Sequence, residues 1–246
     1  KVDTNVTSTL TGARVDVTEF LGLGTVGTLE TENIDYSGAG WGRADTLYLT
    51  YGGGTWVMQG AQNFGSPSGW SKVKVSTDFE NWADVDVGLT GLWRIAGYDQ
   101  GAFCVAELGV GSTNKVRRSV DGGLNWSGAV SLSSSSQWYD MEAGNGRLLL
   151  TSQVSTTGCE STDGGASWAS KTFPAAGMHL WSGPGGVWLS RDTSDVVRLS
   201  IDNAASWSTV TTLPHVAWMG RNYKGRLVVS MRATTDQAAY YETGVG

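Results

Sequence analysis

One phrase recurs four times along the chain and limits its fold more than any other feature: Ser, any residue, Asp, a short polar or glycine-rich turn, then Trp. It reads Ser76, Asp78, Trp82; Ser119, Asp121, Gly123, Trp126; Ser161, Asp163, Gly165, Trp168; and Ser200, Asp202, Trp207. Successive aspartates lie 43, 42 and 39 residues apart, the length of one four-stranded unit in a radial repeat. A second marker falls at the other hairpin of each unit, a glycine followed by an apolar strand. Its copies are Gly54 before Trp56 and Val57, Gly101 before Phe103 and Cys104, Gly146 before Leu148 to Leu150, Gly186 before Trp188 and Leu189, and Gly225 before Leu227 to Val229. Gly12 before Ala13, Arg14 and Val15 reads as a sixth, which puts Glu30, Thr31, Glu32 and Tyr36 where a decayed copy of the phrase belongs. Two independent markers sharing one period predict an all-β chain, a β-propeller of four-stranded antiparallel blades. Six blades is the count that uses every marker, and a five-bladed ring is the alternative.

The phrase needs no ligand to explain its return. An Asp at the head of a tight hairpin accepts hydrogen bonds from the turn's own amides, Gly supplies a positive φ, and the indole wedges between neighbouring blades. Composition agrees: 35 Gly and 12 Trp against 4 Pro describe short strands, tight turns and an aromatic core with little helix. A repeat lets residues 1–246 form a single domain. After Gly225 an apolar strand and then Gln237 to Thr243 can be read, with no outermost strand for that blade. The segment Asn5 to Leu10 (NVTSTL) is similar to the outer strand Ser208 to Leu213 (STVTTL), so an N-terminal strand is expected to close the ring and remove both sheet edges. That assignment leaves the first blade short of a strand, which keeps five blades open.

Charge excludes some functions. The formal net charge is −6 and no run of Lys or Arg occurs, so the field that draws a nucleic-acid backbone is missing and nucleic acid is not an expected partner. The longest aliphatic run, Leu148 to Leu150, is far below a membrane span, so no membrane insertion is expected. Residue 1 is Lys and no charged-then-apolar leader follows, so the chain is expected to be processed or part of a longer one. Cys104 and Cys159 fall on strands of different repeats without metal-ligand spacing and read as buried free thiols. No metal or cofactor is expected. Gly22, Gly24 and Gly27 match G-x-G-x-x-G, but without a strand-to-helix unit they read as a flexible hairpin. Asn5 and Asn125 begin N-x-S/T sequons, and Asn125 lies inside one of the aspartate turns.

The four phrases, Asp78 with Trp82, Asp121 with Trp126, Asp163 with Trp168 and Asp202 with Trp207, resemble the Asp-box proteins, a group of sialidases, sortilin-type receptors and secreted or virion propellers. The full pattern stands at Ser119 to Trp126 and Ser161 to Trp168. The copy at Ser76 is one residue short, and the copy at Ser200 has Ala204 in the glycine position. The resemblance implies a propeller in which these residues are structural.

If the aspartate turns and the glycine hairpins share one end of the blades, the opposite end carries the starts of the inner strands. Aligning the glycine markers brings Trp93 with Arg94, Trp138 with Tyr139, His179, and Trp218 to that end, where the longest insertion, Ala61 to Trp70, adds Phe64 and Trp70. Aromatic faces beside a few charged groups suit a sugar ring, whereas any one Trp taken alone reads as packing between blades. The sialidase resemblance would need an arginine cluster, a Tyr nucleophile with its Glu, and an acid/base Asp. Arg43, Arg94, Arg191 and Arg221 with Tyr139, Glu107 and Asp140 supply the residue types, but the early arginine-Ile-Pro signature is absent and Arg94 with Ile95 is only an echo of it. The expected function is therefore a non-catalytic recognition or structural propeller at a cell or virion surface, such as a phage tail or capsid appendage, contacting protein neighbours or cell-surface glycan. Exo-glycosidase activity is the alternative.

Overall fold

The structure, a computed structural model, describes residues 46–61, 72–88, 92–108, 113–212, 216–223, 226–232 and 238–242, which belong to one compact unit, Ser37–Gly246. The expectations for Gly12, Glu30 to Tyr36, the N-terminal closing strand and the insertion up to Trp70 lie outside the described residues. Those described are all-β apart from one 3-10 turn, Pro184–Gly186. Four sheets are four-stranded antiparallel meanders: β1 to β4 (Thr46–Gly52, Thr55–Ala61, Lys72–Ser76, Ala83–Asp86), β5 to β8 (Leu92–Asp99, Ala102–Leu108, Thr113–Ser119, Val130–Ser136), β9 to β12 (Trp138–Gly144, Arg147–Ser152, Thr157–Ser161, Ala169–Thr172) and β13 to β16 (His179–Ser182, Trp188–Arg191, Val196–Ser200, Ser208–Thr212). A fifth sheet has three strands among the described residues, β17 to β19 (Val216–Tyr223, Arg226–Arg232, Ala238–Glu242).

Consecutive first strands are neighbours, β1 with β5, β5 with β9, β9 with β13 and β13 with β17. The sheets therefore stack face to face, and a second strand between two neighbours is buried on both sides. Alternation along β6 shows how one strand serves two seams: Phe103 and Val105 pack with Val57, Val73 and Val75 of the first sheet, while Cys104 and Ala106 pack with Trp138, Met141, Leu148 and Leu150 of the third. The strand β10 repeats this, Leu148 and Leu150 facing the second sheet and Leu149 joining Leu180 and Trp188 of the fourth. A run such as Leu148–Leu150 is thus a strand buried on both faces, its three residues each fully inaccessible. Each such side chain contributes about 1.5–3 kcal/mol by leaving water. Both cysteines lie in this core as free thiols, and burial pushes the Cys104 thiol up to about 12, which keeps it protonated and inert.

The four phrases form one turn built four times. The serine hydroxyl donates to its aspartate (Ser76 to Asp78 3.0 Å, Ser119 to Asp121 2.8 Å, Ser161 to Asp163 2.7 Å, Ser200 to Asp202 2.7 Å) and accepts the amide of the residue at the bend, Phe79, Gly123, Gly165 or Ala204. The aspartate in turn accepts both the backbone amide and the side chain of the residue just before the Trp: Asn81, Asn125, Ser167 and Ser206. The indoles Trp126, Trp168 and Trp207 occupy equivalent seams, first to second, second to third and third to fourth sheet. Trp82 instead stacks edge-on against Phe79 at 5.2 Å.

The bend residue explains the glycine. All four are left-handed, φ 65° at Phe79, 86° at Gly123, 84° at Gly165 and 63° at Ala204. In the two full copies the bend also presses on the second strand of the preceding sheet: a Cβ on Gly123 would meet Val57 Cγ2 at 2.9 Å, and one on Gly165 would run into Cys104 Sγ. Gly165→Ala combines left-handed strain with overpacking of a filled core, so it should lower stability by about 2–4 kcal/mol in urea unfolding. Gly128→Ala, where a Cβ meets nothing within 4 Å, should change stability by no more than about 0.5 kcal/mol.

The same hydrogen bonds hold the turn carboxylates ionised. Asp78, Asp121 and Asp202 are depressed, chiefly by the side chains of Asn81, Asn125 and Ser206 respectively. At Asp163 burial pulls upward, but the Ser167 hydroxyl and amide and the Ser161 hydroxyl outweigh it and hold the group at about 2, below its ordinary 3.8. A carboxylate depressed by folding adds stability that is complete above its unfolded pKa and is lost as pH falls through the folded one. The urea midpoint should therefore hold near neutrality and fall between about pH 4 and pH 2. Asp163→Asn should be less stable than wild type at neutral pH, with the difference shrinking through that window.

Candidate functional site

The turns between first and second strands and the aspartate turns share one end of the sheets, because the chain meanders and the two sets touch: Gln100 Nε2 donates to the carbonyls of Gly146 (2.8 Å) and Thr162 (2.9 Å) of the next sheet. The first strands start at the opposite end. Of the sequence candidates, Trp93 and Arg94 lie at the start of β5, Trp138 and Tyr139 at the start of β9, His179 opens β13, and Trp218 lies near the start of β17. Trp70 lies outside the described residues.

Backbone irregularity sorts these candidates. In the pairing of β9 with β10, Thr151 faces Asp140 and Ser152 faces Trp138, so Tyr139 is an extra residue in a β-bulge. In β17 Ala217 faces Met231 and Met219 faces Ser230, which makes Trp218 the corresponding extra residue. A bulge re-aims the side chain it carries and is frequent beside sites. The half-buried Tyr139 meets the imidazole of His179, ring centroids 4.5 Å apart, and His179 stacks on Trp181 at 6.4 Å. Trp138 differs: it is 4% exposed and packs with Met141, Leu148 and Leu150, so its indole serves the core between the second and third sheets and not the strand-start surface.

Beside the aromatic pair, two carboxylates at alternate positions of β9 bond to alternate amides of β13. Asp140 Oδ2 accepts the Leu180 amide at 2.9 Å and lies 3.3 Å from His179 Nδ1. Glu142 Oε1 accepts the Ser182 amide at 3.3 Å and its hydroxyl at 3.0 Å. Residues two apart on a strand share a face, which is why the pair can act together on amides that β14 does not bind. Asp140 was a candidate acid/base group; here it positions His179 and β13. Arg191, a candidate for binding a substrate carboxylate, has a side chain 6% exposed and is engaged by Asp195 through both Nη2 and Nε. Next to it burial pulls Asp192 upward, but the Arg198 guanidinium at 2.6 Å and the Val196 and Ser194 amides outweigh it and hold the carboxylate low. Among the described residues no three His, Cys, Asp or Glu side chains are gathered as for a metal ion.

Sequence reasoning missed Glu142 and the polar residue before each Trp. The signal for the second was present, since Asn or Ser precedes Trp82, Trp126, Trp168 and Trp207 without exception. Glu142 carried only its alternation with Asp140 inside an otherwise apolar strand.

No protein-family model and no curated protein matches the chain. Solved structures do. YCF48 bound to D1 peptide superposes with a TM-score of 0.55 at 13% identity, over 80% of this chain and 63% of that one. YCF48 from Cyanidioschyzon merolae gives 0.50 at 13% identity, over 79% of this chain and 70% of that one. The chain thus spans less than two thirds of the first of these neighbours. Both are β-propellers, and together with the stacked four-stranded meanders they establish the propeller fold for this chain.

Removing the Glu142 carboxylate would take that acceptor from the Ser182 amide, while the Ser182 hydroxyl keeps the Ala143 carbonyl at 2.8 Å. Glu142→Ala should cost about 1–3 kcal/mol, read as a lower urea midpoint with an unchanged m value.

Proposed function

We propose that the chain is an Asp-box propeller that works without catalysis, as a recognition or scaffolding part of a larger assembly at a cell or virion surface. Its contact is with an extended segment of a protein neighbour, at the end where the first strands begin. The observation that carries this reading is the pair of bulges that displace Tyr139 and Trp218 at that end. A tyrosine backed by a histidine offers a flat, rigid face with a polar tip, the combination that dominates protein contacts. The strands behind it are fixed by Asp140 and Glu142, so little ordering is needed on binding. A propeller of the same fold is known with a peptide bound, as the YCF48 structure's description states. The sialidase reading draws no such support, because Arg191 and Asp140 are each engaged by neighbouring residues.

Overlapping peptides from proteins that co-purify with the full chain, titrated by calorimetry, test this. Tyr139→Ala and His179→Ala should each weaken the best peptide about ten-fold or more, while Ile201→Ala, exposed at the aspartate-turn end, should leave it unchanged. Glycan-array binding that disappears in Tyr139→Ala would replace the peptide by a sugar. Turnover of a fluorogenic sialoside, lost in Tyr139→Phe, would make the protein an enzyme.

A further inference from the structure

We propose that Asn145 is a site of spontaneous covalent modification: it deamidates when the seam between the third and fourth sheets opens, and the product keeps that seam from closing again. Asn145–Gly146 is the only Asn-Gly pair in the sequence, and it forms the two-residue loop joining β9 to β10, with φ of 53° and 73°. That pair suits such a hairpin because both residues must be left-handed. It is also the pair most open to cyclisation, since glycine leaves its own amide nitrogen unshielded.

The closed seam opposes the reaction. The Asn145 carboxamide reaches across to the fourth sheet, Nδ2 donating to the Gly183 carbonyl at 2.7 Å and Oδ1 accepting the Gly186 amide at 3.1 Å. Asn203 Nδ2 donates to the Asn145 carbonyl at 3.2 Å, and Asn203 Oδ1 is itself held by Trp188 Nε1 at 2.9 Å. The carboxamide is therefore held by both its polar atoms and is not free to turn onto the Gly146 nitrogen.

Once the seam opens, that nitrogen can attack Asn145 Cγ. The new C–N bond closes a succinimide, the Cγ–Nδ2 bond breaks, and ammonia leaves with the proton given up by the Gly146 amide. Water then opens the ring at either carbonyl, giving aspartate or isoaspartate, with no other reactant. Both products lose the donor to Gly183; aspartate faces that carbonyl with a carboxylate, while isoaspartate carries its carboxylate on the former main-chain carbonyl carbon that Asn203 bonds and lengthens the two-residue loop by a backbone carbon. The change is one-way.

The full chain is incubated at mildly alkaline pH, native and in urea, and the β9–β10 peptide is followed by mass spectrometry with isoaspartate quantification. Conversion should be slower in the native protein by about ten-fold or more. Asn203→Ala should accelerate it beyond Gly165→Ala, which disturbs the second-to-third seam, when both are compared at equal global stability. Deamidated wild type and Asn145→Asp should share a lowered urea midpoint. Equal rates in native and unfolded protein, no excess for Asn203→Ala, or an unchanged midpoint after conversion would each overturn the proposal.

Discussion

The structure rests on burial of second strands such as β6 and β10 on both their faces. A sheet with one wet face can tolerate slippage in what lies beside it, but β6 and β10 have no wet face: Phe103, Cys104, Val105, Leu148, Leu149 and Leu150 are all inaccessible. Every neighbour must therefore be present and in register for any one sheet to be satisfied. That requirement makes the stack cooperative from seam to seam while leaving each seam chemically distinct.

Two polar devices set the spacing of the seams, and they point in opposite directions along the chain. The aspartate turn reaches back, Gly123 onto Val57 and Gly165 onto Cys104, and Arg118 of the second sheet meets it by donating to the Gly164 carbonyl. The first hairpin reaches forward through an amide side chain in the left-handed position, Gln100 to Gly146 and Thr162, Asn145 to Gly183 and Gly186. Both act at the hairpin end, whereas at the strand-start end the third-to-fourth seam is held by Asp140 and Glu142.

The repeat was legible because its period and its turn chemistry are local: Ser bonds to Asp and Trp to the bend carbonyl within eight residues, so Ser119 to Trp126 and Ser161 to Trp168 can be read directly from the sequence. The same locality let the copy at Ser76, one residue short, and the copy at Ser200, with Ala204 in the glycine position, be read as irregular, and in the structure Phe79 and Ala204 are the non-glycine residues that carry the left-handed bend. The site was less legible. Whether Trp138 is core and Tyr139 surface depends on a bulge, and a bulge is fixed by pairing with Thr151 and Ser152 on another strand. Asp140 read as a possible acid/base group and Glu142 went unread because their partners, the amides of Leu180 and Ser182, are backbone groups 40 residues away. No residue type marks an amide as exposed.

The third-to-fourth seam gathers more polar fasteners than its alternating hydrophobics require. Asp140 and Glu142 hold it near the strand starts, Thr151 Oγ1 donates to the Met178 carbonyl at 2.7 Å, and Asn145 and Asn203 hold the hairpin end. The fourth sheet contributes only short strands there, four residues each in β13 and β14, against seven and six in β9 and β10. A short strand offers fewer apolar contacts and fewer ladder hydrogen bonds, so side chains from the longer neighbour make up the difference. The fasteners also fix β13 at both ends, and β13 carries the imidazole that backs Tyr139. The position of His179 is thus inherited from the repair of a short strand, and the rigidity of the proposed contact surface follows from the same hydrogen bonds that hold the fourth sheet in place.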